Sequence, residues 1–193
     1  MERRLICAFD NEGKYYPLNN FSFVEALSSE YMLEYLITII NSSLLNFYFK
    51  NCFIDYNIKP KYIEKLPIPV LSLLKQTPLI EKADVIIKLN KEIQEVIQRF
   101  QRAIQRKFTL EDLPGKLKNW HLLNYPEFII ELDKIKIKLS LNEEAEWESY
   151  FLQESKKAQE LKSRIEATDK EIDLMVYKLY ELSDEEIRIV ETS

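Results

Sequence analysis

Spacing typical of a long helix continues without a break through the C-terminal part of the chain. The positions that follow one another at steps of four and three are Trp147, Phe151, Glu154, Ala158, Leu161, Ile165, Thr168, Ile172, Met175 and Leu179. They predict one helix over about residues 142–181, roughly 60 Å long at 1.5 Å per residue. Such a helix needs a partner, because it cannot bury a coiled-coil-like seam alone.

A second helix is predicted over about residues 79–106. Its seven-residue repeat consists of Leu79, Ile86, Leu89, Ile93, Val96, Phe100 and Ala103, with Lys82 as the one misfit. We expect the two long helices to pair in antiparallel fashion. A chain with only two glycines in 193 residues also favours long helices. Ser183 and Glu186 form a capping box, which predicts a final short helix over about residues 184–190.

The N-terminal part has a different pattern, which predicts a small sheet. Leu5–Phe9 is a short apolar stretch followed by a turn signal, and Tyr15–Val24 is typical of extended backbone. We expect this sheet to pack on a helix that begins near Ser28 or Ser29.

Residues 134–141 carry two overlapping patterns. Lysine and apolar residues alternate there by twos, as in a strand, but a helical pattern directly precedes them, and we favour continuation of the helix. The fold class predicted is mostly α with a small α/β part. The domains predicted are an α/β module over residues 1–75 and a helical scaffold over residues 76–193.

Charge is distributed unevenly along a chain whose net charge is −5. Residues 50–107 hold 12 Lys and Arg against six Asp and Glu, whereas residues 108–193 hold 12 against 20. A basic middle suggests a nucleic-acid face. The alternative is that the helix over residues 79–106 has an ordinary solvated basic face.

The cysteine count and the hydropathy suggest a cellular location. Cys7 and Cys52 are too few for a disulfide scaffold, and their apolar surroundings predict buried free thiols. No apolar run reaches the length of a membrane span, and no signal-peptide core follows Met1. We expect a soluble, cytoplasmic protein.

The stretch over residues 35–69 combines a buried helix pattern with polar groups suited to nucleic acid. Its apolar positions at helical spacing are Leu36, Ile39, Ile40, Leu44 and Phe47. Asn41-Ser42-Ser43 predicts a helix restart, since such side chains accept hydrogen bonds from the free N–H groups of a new helix. The cations, amides and phenols between residues 50 and 61 are typical of a nucleic-acid-facing surface.

Two segments of this stretch, INSSLLNFYFK at residues 40–50 and KPKYIEKLPIP at residues 59–69, carry a family resemblance. They resemble the TaqI-like C-terminal specificity domain, the target-recognition domain of type IIG restriction–modification enzymes and related adenine-N6 DNA methyltransferases. Glu171–Glu191 is similar to the closing segment of those enzymes. Specificity subunits of type I systems share the same plan.

The resemblance implies a DNA sequence-recognition domain from the C-terminus of a type II restriction–modification enzyme. It would bind duplex DNA and position it for methyltransferase and nuclease modules upstream in the parent chain. S-adenosylmethionine and Mg²⁺ would belong to those modules, so no cofactor is expected here.

Two alternatives remain. One is a type I-like specificity subunit, against which the lack of an internal repeat counts. The other is a helical assembly domain that does not contact DNA and associates, with itself or others, through its helices.

DNA-binding proteins contact phosphates with Lys and Arg and read bases with amides, Arg and similar groups. The candidates for DNA contact are Arg3, Arg4, Lys14, Tyr15, Asn19, Asn20, Lys50, Asn51, Tyr56, Asn57, Lys59 and Lys61.

No catalytic or metal-binding constellation is expected, so the chain is predicted not to be an enzyme on its own. His121 is the only histidine, and glycine-rich cofactor loops are absent. Glu-x-Lys, half of a nuclease motif, begins at Glu12, Glu154 and Glu160, but no Pro-Asp dipeptide completes it.

Overall fold

The computed structural model describes residues 5–8, 10, 30–53 and 59–192. Within these ranges the chain is mostly helical and contains no strand. The helices are α1 (Leu33–Asn41), α2 (Ser43–Cys52), α3 (Pro60–Ile63), α4 (Leu73–Phe108), α5 (Gly115–Lys118), a 3-10 turn (Trp120–Leu122), α6 (Tyr125–Lys134), α7 (Leu141–Leu179) and α8 (Asp184–Glu191).

The chain divides into two units. Unit 1 consists of Met1–Ile86 and Ala167–Ser193, and unit 2 consists of Ile87–Glu166. Each long helix, α4 and α7, therefore contributes one part to unit 1 and another to unit 2. The boundary between residues 75 and 76 stays a prediction.

The predicted small sheet is not found, and Leu5–Phe9 is wrong as a strand over the described residues 5–8. These residues hydrogen-bond to asparagine side chains of α1 and α2, as described below, instead of to a neighbouring strand. Tyr15–Val24, Ser28 and Ser29 lie outside the described residues. Helix α1 begins at Leu33, with Met32 at its N-cap position.

Aromatic rings form the core of unit 2. Phe100 of α4 is fully buried, and its ring centroid lies 4.0 Å from that of Trp120 and 5.8 Å from that of Phe151 on α7. Phe108, further along α4, stacks on Trp147, which lies earlier on α7, at 5.5 Å. Within unit 2 the two helices therefore run antiparallel, since positions that rise along α4 meet positions that fall along α7.

The seam positions of both long helices face their cores with few exceptions. On α4, Leu89, Ile93, Val96 and Phe100 are buried. Lys82, the misfit, forms an ion pair with Glu171 of α7. Coiled-coil packing as such stays a prediction.

Residues 134–141 do not continue a helix. Helix α6 ends at Lys134, and Lys136 adopts a left-handed backbone conformation with φ of 63°, which interrupts helical geometry. The alternation instead places Ile137 and Leu139 against the core of unit 2, while Lys138 is exposed. The alternation reflects a non-helical segment with one buried side, so the favoured continuation of the helix is wrong.

The core of unit 1 joins segments from both ends of the chain. Tyr35 and Ile39 of α1 and Phe49 of α2 share one buried cluster with Val176 of α7. Helix α8 contacts α2 and begins with the predicted capping box, in which Ser183 and Glu186 bond each other's backbone N–H. Residues 167–192 therefore belong with the N-terminal helices.

The predicted buried thiols are half correct. Cys7 is partly buried, and burial raises the pKa of its thiol, whereas Cys52 is exposed at the C-terminus of α2. Among the described helices, none combines the length and apolar character that crossing a membrane requires.

Candidate nucleic-acid interface

The junction between α1 and α2 is built around Ser42. Its backbone is extended (φ −60°, ψ 153°), so α1 ends there and α2 begins at the next residue. The Ser42 hydroxyl accepts from Leu45 N at 3.3 Å and donates to Ile39 O at 2.7 Å. One side chain thus caps the new helix and binds a carbonyl at the end of the old one, and the predicted helix restart is confirmed.

Two asparagines beside this junction hold the N-terminal segment. Asn41 Oδ1 accepts from Cys7 N at 2.7 Å, and its Nδ2 donates to Cys7 O at 2.9 Å. Asn46 Oδ1 accepts from Leu5 N at 2.6 Å. A carboxamide carries one acceptor and two donors on a plane, so it can pair with a peptide group as a neighbouring strand would.

An acid from the far end of the chain completes the junction. Asp173 of α7 accepts from Ser43 N at 2.7 Å and from Ser43 Oγ at 2.6 Å. A carboxylate at the first turn of α2 satisfies a free N–H and opposes the positive end of the helix dipole. No local sequence signal predicts this contact, because 130 residues separate the two partners.

Tyrosine hydroxyls fix the proline segment that follows α3. Tyr35 of α1 donates to Pro69 O at 2.9 Å, and Tyr180 donates to Pro67 O at 2.6 Å. Burial raises the pKa of Tyr35 to about 12 and also raises the pKa of Tyr180, so both hydroxyls stay protonated donors well above neutral pH.

The polar residues most specific to the motif therefore point into unit 1 and bind protein groups. The outward side of the same stretch carries four of the residues that the sequence nominates for DNA contact: Lys50, Asn51, Lys59 and Lys61 are all exposed. We call these four residues the exposed edge.

A contact between two tilted aromatic rings brings the two halves of this exposed edge together. Phe53, the C-cap residue of α2, lies 4.8 Å from the Tyr62 ring, centroid to centroid. The ammonium groups of Lys59 and Lys61 lie 5.9 and 5.0 Å from the centroid of the same Tyr62 ring. Two cations thus lie within cation–π distance of one aromatic ring, next to the end of α2.

The end of α2 supplies the other two groups. Lys50 lies in the last turn of the helix, where a cation also offsets the negative end of the helix dipole. Asn51 Nδ2 donates to Phe47 O at 2.8 Å, one turn earlier.

The remaining candidates, Arg3, Arg4, Lys14, Tyr15, Asn19, Asn20, Tyr56 and Asn57, lie outside the described residues. DNA contact by any of the twelve stays a prediction. Sequence reasoning overlooked Asp173 and Tyr180, which bind the start of α2 and the segment after α3. It also overlooked buried Gln76, which accepts from Met32 N at 3.1 Å and donates to Leu71 O at 2.8 Å.

Two of the groups considered for catalysis, Glu154 and His121, are held by contacts with other side chains of unit 2. Glu154 is buried in unit 2, 2.5 Å from Arg99 Nη2 and 2.7 Å from Lys157 Nζ. Burial raises its pKa, but hydrogen bonds from Lys157 and Arg99 outweigh burial and hold the pKa below its usual value. His121 packs edge-on against Trp120, and burial and nearby Lys162 lower its pKa. Over the described ranges, no three His, Cys, Asp or Glu residues are grouped to hold a metal ion.

Family comparisons cover nearly the whole chain. A family model described as TaqI-like C-terminal specificity domain matches residues 1–68. A second model, described as domain of unknown function DUF8810, matches residues 72–176, which is more than half of the chain. The chain belongs to the DUF8810 family. No curated protein and no solved structure matches it.

The resemblance to the specificity domain is thereby confirmed for the segment that holds α1, α2, α3 and the exposed edge. A role in restriction–modification specificity follows for residues 1–68. The DUF8810 segment begins next to the start of α4 and ends within α7, so it includes all of unit 2. Asp173 lies within it, so a DUF8810 residue caps a helix of the specificity domain.

Proposed function

We propose that this chain is the DNA sequence-recognition domain from the C-terminus of a type II restriction–modification enzyme with adenine-N6 methyltransferase and endonuclease modules. The single observation that carries the proposal is the match of residues 1–68 to the TaqI-like specificity domain. The domain binds duplex DNA and positions it for the catalytic modules of the parent enzyme.

The chemistry of the exposed edge supports this proposal. Lys59 and Lys61 place two positive charges over the Tyr62 ring, and Lys50 and Asn51 add a cation and an amide at the end of α2. Lys side chains neutralise phosphates, while an exposed amide can hydrogen-bond base edges or phosphate oxygens. Because the Tyr62 ring already restricts both lysine side chains, DNA binding would cost less of their conformational entropy.

The proposal also implies the partners, the cofactors of those partners and the cellular location. Its partners are double-stranded DNA and the methyltransferase and nuclease modules, which bring S-adenosylmethionine and Mg²⁺. The cytoplasm is the location that goes with this role.

The test is binding of the purified chain to a random-sequence duplex across a salt series. We expect affinity to fall steeply as salt rises, because each neutralised phosphate releases bound counterions. The double charge reversal Lys59→Glu with Lys61→Glu should weaken binding at least tenfold at low salt. Lys170→Glu with Lys178→Glu is the matched control, since both lysines are exposed on α7 and the net charge changes equally.

Equal binding by the two double variants would show that the exposed edge is not part of the DNA interface. No binding by the unaltered chain at low salt would overturn the proposal and favour the helical assembly domain. Size-exclusion chromatography with light scattering on the same sample then tests self-association through the helices.

A further inference from the structure

Helix α4 presents a row of cations on one face within unit 2. Lys88, Lys91, Arg102 and Arg106 are all exposed. At about 100° of rotation per residue, the four lie within about 60° of one another around the helix axis. We call these four residues the basic face of α4. The buried residues of the same stretch, Phe100 among them, point to the opposite side.

These cations differ from their neighbours in having no acidic partner among the described residues. Arg99 and Lys107, on the same helix, form ion pairs with Glu154 and Glu143 of α7. None of the four on the basic face forms an ion pair with any residue in the described ranges. Within the part of the chain that the structure describes, their positive charge is therefore not offset by ion pairs.

The acids and amides on this side leave it positive. Over residues 88–106, Glu95 lies on the basic face and Glu92 lies half-buried beside it, so four cations stand against two acids; exposed Asp84, one turn before Lys88, adds one acid at the start of the face. Gln94 and Gln98 are exposed between the two pairs of cations. Amides placed between cations can hydrogen-bond phosphate oxygens without adding charge.

The shape of the array suits a long polyanion. From residue 88 to residue 106 the helix rises about 27 Å, at 1.5 Å per residue. Duplex DNA places a base pair every ~3.4 Å, so this length corresponds to about eight base pairs. A guanidinium also binds phosphate through two parallel hydrogen bonds, which favours Arg102 and Arg106 as phosphate contacts.

We propose that the basic face of α4 is a second DNA surface, which contacts the phosphate backbone of a duplex and does not read bases. This inference rests on the proposed function and deepens it. It gives unit 2, which lies inside the DUF8810 segment, a DNA-contacting role separate from that of residues 1–68.

The test compares two variants of the full chain that lose the same charge. In the first, Lys88, Lys91, Arg102 and Arg106 are all replaced by Gln. In the control, Lys138, Lys156, Lys170 and Lys178, which are exposed elsewhere, are replaced by Gln. Binding of each to a 30-base-pair duplex of random sequence is measured over a salt series, with circular dichroism to show that the helices remain.

The slope of log affinity against log salt is the decisive quantity. Each lost phosphate contact reduces its magnitude by about 0.9, so the α4 variant should lose about 2 to 4 and the control less than 1. Sequence selectivity, measured by selection from a randomised duplex pool, should stay the same in the α4 variant. A variant with Lys88→Gln, Lys91→Gln, Arg102→Lys and Arg106→Lys, which restores two charges, should recover part of the slope.

Equal slopes in the two variants would overturn the inference while leaving the proposed function intact, since the unaltered chain and the Lys59/Lys61 variant test that separately. If the unaltered chain fails to bind any duplex, both fall. A changed sequence selectivity in the α4 variant would contradict the claim that this face does not read bases.

Discussion

At the scale of single residues, side-chain amides form the hydrogen bonds that backbone groups of a neighbouring strand form in a sheet. The carboxamides of Asn41 and Asn46 satisfy the peptide groups of Cys7 and Leu5. The Asn46 Nδ2 also donates to carbonyls at the end of α1, including that of Ser42 at 3.0 Å. Asn46 therefore links two segments, and its loss leaves polar groups in both without partners, whereas loss of Asn41 leaves the peptide groups of Cys7 without theirs.

Asn46→Ala should affect mainly stability, and Asn51→Ala mainly DNA binding. Asn46→Ala should lower the free energy of unfolding by about 1–3 kcal/mol, because partly buried donors and acceptors lose their partners. Asn51→Ala, at an exposed position, should change stability by less than about 0.5 kcal/mol yet weaken DNA binding. Urea denaturation and duplex binding check the pair, and a stability loss of similar size in both would contradict the assignment.

Asp173→Ala should destabilise unit 1 at a distance in sequence. Removing the carboxylate leaves the first turn of α2 without its acceptor for Ser43 N, at a cost of about 1–2 kcal/mol, comparable to loss of an N-cap. Lys178→Ala, exposed on the same helix, is the control and should be neutral within about 0.5 kcal/mol. Chemical denaturation followed by circular dichroism measures both, and neutrality of Asp173→Ala would show that water replaces the cap.

At the scale of helices, what the sequence could predict depended on whether the signal was local. The seams of α4 and α7 are visible because buried positions recur with the helical period, and the capping box at Ser183 is visible because its partners are three residues apart. Residues 134–141 were misjudged because Lys136 adopts a positive φ without a glycine to mark it. Sheet formation at residues 5–8 was also misjudged, since propensity cannot show that distant asparagines replace a partner strand.

The candidate site was predictable only in part, for the same reason. Exposure of Lys59 and Lys61 follows from their charge, but their position over Tyr62 depends on how Phe53 packs. The contribution of Asp173 and Tyr180 depends on α7 returning to α2, which no local pattern encodes.

The start of α7 should make the protein sensitive to acid. Hydrogen bonds from Ser140 and the ion pair with Lys107 hold the pKa of Glu143 at about 2, below its ordinary value of 4.5. A depressed folded-state pKa means that this stabilisation is complete above about pH 4.5 and is lost as pH falls towards 2.

Glu143→Gln should therefore lower stability at pH 7 and reduce the further loss between pH 4.5 and 2. Thermal unfolding across a pH series measures this, with Glu160→Gln, exposed on the same helix, as the control. A pH profile of Glu143→Gln parallel to that of the unaltered chain would contradict the assignment.

At the scale of the whole molecule, the natural probes separate the two units. Trp120 and Trp147, the only two tryptophans in the chain, lie in the core of unit 2. Both cysteines, Cys7 and Cys52, lie in unit 1. Tryptophan fluorescence therefore reports unit 2, and thiol reactivity reports unit 1.

Val176→Asp should disrupt unit 1 while leaving the tryptophan environment largely unchanged. Val176 is fully buried in the core of unit 1, and an unpaired carboxylate there costs several kcal/mol. Cys7 should then react with a thiol reagent as fast as exposed Cys52, whereas in the unaltered chain it reacts more slowly. The control, Lys178→Asp, introduces the same residue at an exposed position and should leave Cys7 protected. A red-shifted tryptophan emission in Val176→Asp would mean that the units unfold together.

Unit 1 draws on both ends of the described chain, and this has a consequence for the order of events on the ribosome. The helices of the specificity domain are translated before unit 2, but Asp173 and Val176 emerge only after all of unit 2 has been made. Synthesis proceeds at about 5–20 residues per second, so the nascent α1 and α2 wait several seconds for the segment that completes their core. A polypeptide released before residue 173 has the specificity sequence without the contacts that assemble it, so full-length translation is the condition for a finished recognition surface.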